Sequence, residues 1–167
     1  LPQAMNTADS MQLVTLQPGE FHFGGANTRI QTLLGSCVAI TLWHPIRRIG
    51  GMCHYMLPSR HTSTHELDGR YAEEAMQMFL RQAARHGTLP QEYQVKLFGG
   101  GNMFPAFSKP SAQGSVAENN IAAARRLVAR HQLQLVAESL GHTGHRQVLF
   151  DIATGDVWVR HHRLTGS

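Results

Sequence analysis

The run Cys-Val-Ala-Ile-Thr-Leu-Trp at positions 37–43 constrains this chain more tightly than any other feature. It is far shorter than the roughly 20 apolar residues of a membrane span. Turn-forming residues close it on both sides, Gly35-Ser36 before and His44-Pro45 after. Such a run reads as a buried strand. Pro45 fixes its own φ and turns the residue before it away from helix, so positions 44–48 are predicted to reverse the chain. Positions 49–57 return as a second strand, with Gly50-Gly51 marking a bulge or a close backbone approach. The pair makes a hairpin, the clearest local unit in the sequence.

Around it, positions 12–16 and 20–23 read as short strands about a Pro18-Gly19 turn, and positions 30–34 as an extended apolar segment. Positions 59–69 are polar and rich in His, Ser and Thr, a loop expected to be mobile. Ala72, Ala75, Met76, Phe79, Leu80 and Ala83 recur at helical spacing and predict a helix over 71–86 that Gly87 ends. A strand at 93–98 runs into Gly99-Gly100-Gly101-Asn102, and a long loop follows over 103–114. Ser115 with Glu118 resembles a capping box for a helix over 116–131. Strands at 133–140, 147–151 and 157–160 complete the chain, the last two joined by an Ala153-Thr154-Gly155 turn. Strands cluster at both ends with two helices between them. The expectation is therefore α+β rather than a regular βαβ alternation. With no internal repeat and no linker, a single domain over 1–167 is expected, with tails at 1–10 and 161–167.

At 167 residues one core is affordable and two are not. Positions 1–10 show no basic stretch followed by an apolar one, and there are only two cysteines, Cys37 and Cys53. Reduced thiols and a cytoplasmic location are expected. The formal charge of +4 is scattered, with Arg47-Arg48, Arg125-Arg126 and the run 160–163 as its only clusters. A nucleic-acid footprint calls for a dense basic stripe with stacking aromatics, so neither nucleic acid nor membrane insertion is expected.

Cys37 opens one arm of the hairpin and His54 lies 17 positions on, near the end of the other. Antiparallel pairing brings those two ends together. A histidine beside a cysteine can take the thiol proton and later return it to a leaving group. Gly35 permits a tight backbone whose N–H groups are available to an oxyanion. Spacing alone leaves two readings open, because free cysteine is also among the most often buried residue types.

The wider pattern separates them. The segment 34–39 (Leu-Gly-Ser-Cys-Val-Ala), the His44-Pro45 turn and the segment 49–58 through Gly50-Gly51-Met52-Cys53-His54 resemble the CheD family of chemoreceptor glutamine deamidases. So do Lys96-Leu97-Phe98-Gly99-Gly100-Gly101-Asn102-Met103, Glu118-Asn119-Asn120-Ile121 and the closing segment 149–159. The resemblance runs from about Leu16 to Val159, in order. It implies a β-sandwich core with two principal flanking helices, similar to the cytotoxic necrotizing toxin deamidases. It also implies conversion of glutamine side chains of methyl-accepting chemotaxis receptors to glutamate without a cofactor.

The family's cysteine and histidine fall on Cys37 and His54. Its third catalytic member is a threonine a few residues before the cysteine. Thr32 is the nearest match, although a spacing one residue longer, seen in some relatives, would land on Gln31. Cys53 departs from the family pattern and, by alternation, faces away from His54. His142 and His145 stand where relatives tend to carry glycine. A binding role is implied as the alternative, as a regulator of receptors or of a CheC-type phosphatase; a cysteine amidase or transglutaminase with another substrate is a third reading.

Eleven histidines invite a metal reading through His61 and His65, His142 and His145, or His161 and His162. No Cys-x-x-Cys or His-Glu-x-x-His accompanies them, so no metal site is expected. Gly99-Gly100-Gly101-Asn102 lacks the Gly-Lys-Ser/Thr of a phosphate loop and reads as a tight turn packed near the active site.

Overall fold

A computed structural model describes residues 10–61, 66–105 and 114–165. The hairpin sits at its centre. β4 (Val38–His44) and β5 (Ile49–Tyr55) pair antiparallel with Ala39 opposite His54. They lie inside a five-stranded sheet of order β2-β5-β4-β6-β7, with β2 (Phe21–Gly24), β6 (Gln94–Gly99) and β7 (Gln134–Leu140). A second sheet of order β1-β3-β8-β9 lies over one face, made by β1 (Gln12–Leu16), β3 (Thr28–Leu34), β8 (His145–Asp151) and β9 (Val157–His162).

Two cores result. Leu16, Ile30, Leu34, Ala39, Met52, Phe98, Val148 and Phe150 fill the space between the sheets. Val38, Ile40, Leu42, Val95 and Leu97 point the other way, against α1 (Ala72–Arg85) and α2 (Val116–Arg130). A strand covered on both faces has no polar side to show, and this explains the largely apolar run of β4, which only Thr41 interrupts before His44. β3, covered on one face only, alternates buried and exposed residues.

The helices end as their sequences direct. α1 buries Ala72, Ala75, Met76, Phe79 and Ala83, carries Glu73 and Glu74 in its first turn and Arg85 in its last, and is followed by Gly87 at φ +67°. Ser115 Oγ accepts the Glu118 N–H at 3.1 Å and caps α2, a contact worth about 1 kcal/mol. Among the described residues no helix is long and apolar enough to cross a membrane.

Several expectations need adjustment. The Pro18-Gly19 turn does not fold β1 onto β2. β1 pairs parallel with β3 and β2 antiparallel with β5, so the turn carries the chain between sheets. Of the two alternatives for Gly50 and Gly51, the structure has the close backbone approach and no bulge: side chains there would run into the carbonyl oxygens of Leu42 and His22. β5 stops at Tyr55 rather than position 57, because Met56 and Leu57 both donate their N–H to Arg70 O. β8 starts two residues early, at His145. β9 runs through His162, into the segment expected to be a tail, because His161 and His162 pair with Arg146 and His145. The loops expected over 59–69 and 103–114 lie partly outside the described residues, as do His65 and residues 1–9.

Gly99-Gly100-Gly101 packs on the segment before β4. The N–H of Gly100 donates to Cys37 O and that of Gly101 to Gly35 O, both at 2.9 Å. Arg146, fully buried, anchors this turn from behind by donating to Gly99 O at 3.2 Å, Gly141 O at 2.8 Å and Ser139 Oγ at 3.0 Å. Gly99 has φ +111°, and a Cβ there would collide with Cys37 O. Gly99→Ala is therefore expected to destabilise the fold by roughly 2 kcal/mol or more, read as a lower urea midpoint.

Candidate active site

Thr32 belongs to one sheet and His54 to the other, and their side chains meet in the interface. Thr32 Oγ1 lies 2.7 Å from His54 Nδ1 and 2.8 Å from Leu16 O, with Thr32 and His54 5% and 1% exposed. A hydroxyl has one proton. Leu16 O can only accept, so that proton goes to it, and Nδ1–H must donate to Thr32 Oγ1. The tautomer follows: Nε2 carries no proton and is free to act as a base.

The Pro18-Gly19 turn fixes the backbone beneath the ring. Gly19 N–H donates to His54 O at 2.7 Å, and His54 N–H donates to Glu20 O at 3.1 Å. Glu20 closes the turn by accepting the Gln17 N–H on Oε1 at 2.7 Å. The turn that links the two sheets thus clamps the same histidine whose ring joins them.

Cys37 lies one residue before β4, half-buried and unpaired with Cys53. His54 is directly opposite Ala39, and Cys37 is two residues before Ala39, which by alternation puts thiol and imidazole on the same face. Cys37 packs with Ala39 against the inter-sheet core. Among the described residues no hydrogen bond joins its Sγ to His54 in the resting arrangement; such contacts often tighten only around substrate.

Burial acts on both groups. It lowers the His54 pKa to about 4, outweighing the opposing pull of the Glu20 carboxylate, and it raises the Cys37 thiol above its ordinary value. At neutral pH the pair is imidazole and thiol, not imidazolium and thiolate. For such a neutral pair to act as nucleophile and base, proton transfer would have to accompany the attack, the work of a general base.

Cys53 faces the helices with Ile40, opposite His54, and burial pushes its thiol up to about 12. It takes no part in the site. Gln31, the other position considered for the third member, points outward and donates to Thr15 Oγ1. Of the histidine pairs, His145 stacks on His162 with centroids 4.7 Å apart, and His161 Nε2–H donates to Thr143 O. Among the described residues no three His, Cys, Asp or Glu side chains are grouped to hold a metal.

Asn120 carried no role in the sequence reading. It is fully buried in α2, donating from Nδ2 to Ser36 O at 3.1 Å and to Met56 O at 2.8 Å. Its sequence signal is a polar residue on the apolar stripe of Ala117, Ala124 and Leu127.

The chain is similar to known proteins over most of its length. The family model described as CheD chemotactic sensory transduction matches residues 56–161. A protein of Pseudomonas savastanoi pv. phaseolicola named probable chemoreceptor glutamine deamidase CheD is 56% identical over 94% of this chain and 89% of its own length. Similarly named proteins of Dechloromonas aromatica and Leptospira interrogans are 52% identical (87% of this chain, 85% of theirs) and 39% identical (86% and 89%). Among solved structures, the Bacillus licheniformis hypothetical protein YfiH superposes with a TM-score of 0.48 at 13% identity, over 73% of this chain and 51% of that one.

The buried histidine makes a thermodynamic prediction. An unfolded chain protonates His54 near 6.5, the folded one only near 4. Between those values the unfolded state holds the extra proton, so stability falls as pH drops from 6.5 to 4. The full effect is up to about 3 kcal/mol. Urea titrations at pH 7, 6, 5 and 4 should show wild type losing this stability and His54→Gln losing correspondingly less.

Proposed function

The chain belongs to the CheD family, and from that premise we propose that it is a cysteine-dependent deamidase of glutamine side chains on chemoreceptors, acting in the cytoplasm. The observation that carries the reading is the fixed tautomer of His54. Its Nδ1 proton is held by Thr32, which in turn gives its only proton to Leu16 O, leaving Nε2 bare on a residue that shares its sheet face with Cys37.

In the first half-reaction Nε2 takes the Sγ proton as Sγ attacks the carboxamide carbon of the substrate glutamine. The oxyanion needs N–H donors, and no acceptor among the described residues takes those of Gly35, Ser36 or Cys37. The turn at 99–101 binds the carbonyls of Gly35 and Cys37, which keeps those oxygens away from the developing charge. His54 returns its proton to the nitrogen and ammonia leaves, giving a thioester. Water then gives a proton to Nε2 and attacks the thioester, Sγ departs with that proton, and the products are glutamate and the free thiol. Thr32 holds the ring throughout, the orienting role of a nucleophile–base–orienter set.

The test is mass spectrometry of a chemoreceptor cytoplasmic domain co-expressed with the protein. Wild type is expected to add about one mass unit at a glutamine, the amide-to-acid difference, and Cys37→Ala none. A modification that persists in Cys37→Ala overturns the mechanism. A purely regulatory role, through binding to receptors or to a CheC-type phosphatase, predicts no modification by wild type and full biological function in Cys37→Ala. Thr32→Val, which keeps the shape but frees the ring, should lower the deamidation rate roughly 10- to 100-fold, measured as ammonia release.

A further inference from the structure

We infer that Asn120 is a positioning residue that sets the gap between nucleophile and base, an assignment that rests on the deamidase reading. β4 and β5 are joined by ladder pairing as far as Val38 and Tyr55. The next hydrogen-bonded rung would join Ser36 and Leu57, but there the strands part: Leu57 N–H donates to Arg70 O, and Ser36 O accepts from Asn120 Nδ2. The two segments that carry the chemistry therefore separate at the point where their spacing matters.

The Asn120 amide spans the split. One hydrogen of Nδ2 goes to Ser36 O, immediately before the nucleophile, and the other to Met56 O, two residues after the base. The amide cannot be turned over, because Oδ1 would then face two carbonyl oxygens. Among the described residues no donor reaches Oδ1, so both contacts of the amide run through Nδ2.

Its own anchorage is unusual for a mid-helix residue. The backbone carbonyl of Asn120 accepts the hydroxyl of Tyr55, the neighbour of His54. Burial raises the Tyr55 pKa well above the ordinary phenol value, so that proton stays in place. Helix α2 is thus pinned to β5 by Tyr55 and pins Ser36 to Met56 in return. A small shift of reacting groups can cost about 100-fold in rate, and this amide is what holds them in register.

The experiment compares wild type, Cys37→Ala, Asn120→Leu and Asn120→Asp on one co-expressed and one purified receptor cytoplasmic domain. Asn120→Leu keeps the volume and removes both donors. It is expected to lower kcat for ammonia release roughly 10- to 100-fold with KM little changed. Asn120→Asp puts a carboxylate against two carbonyls and should be as slow at neutral pH. It should regain activity relative to wild type as pH falls toward 5, when the protonated carboxyl restores one donor.

Wild-type kcat in a folded Asn120→Leu protein overturns the assignment. Should that variant not fold, an Asn120→Asp protein whose activity relative to wild type does not rise with acid overturns it instead. Absence of Cys37-dependent deamidation by wild type defeats the function reading, a separate failure.

Discussion

One threonine hydroxyl, shared between a backbone carbonyl and a buried imidazole, joins the two sheets at the proposed catalytic site. Its single proton cannot serve both neighbours. The carbonyl of Leu16 takes it, and the histidine is forced to donate from Nδ1. Three segments far apart in sequence are held in this contact: β1 through Leu16, β3 through Thr32 and β5 through His54. The sandwich brings them together, and the Pro18-Gly19 turn closes the arrangement by binding the backbone of His54 from below.

Burial gives this contact its chemical sense. An exposed histidine would be part imidazolium near neutral pH, and an exposed thiol beside it part thiolate. Here desolvation disfavours charge on both. In the proposed mechanism the pair waits in its neutral form and separates charge only as the sulfur attacks, when backbone donors before β4 meet the oxyanion. Cys53, one residue from His54 but on the opposite face, shows how alternation along a strand excludes a thiol from a site it nearly touches.

The hairpin was legible in the sequence because its signals are local: an apolar run, a proline turn, a return strand. The capping of α2 and the turn between β8 and β9 were readable for the same reason. Cys37 and His54 could be paired because hairpin geometry links their positions. Thr32 came only through family resemblance, since no local rule says that β3 lies across from β5 in another sheet. The separation of β1 from β2 was missed for a related reason: strand partners are chosen by long-range burial, which a short turn does not reveal. The true end of β5 depends on Arg70 accepting two N–H groups, and the role of Asn120 depends on that divergence. Neither leaves a trace in periodicity beyond one polar residue on an apolar stripe.

The central claim is that His54 rests neutral, with its proton on Nδ1 and a bare Nε2 toward Cys37. Nitrogen-15 NMR of the histidine rings reads this directly, with His54 assigned by its loss in His54→Gln. The account predicts a protonated Nδ1 and an unprotonated Nε2, unchanged from pH 8 to pH 5. An Nε2–H tautomer, or an imidazolium forming near pH 6.5, would contradict it.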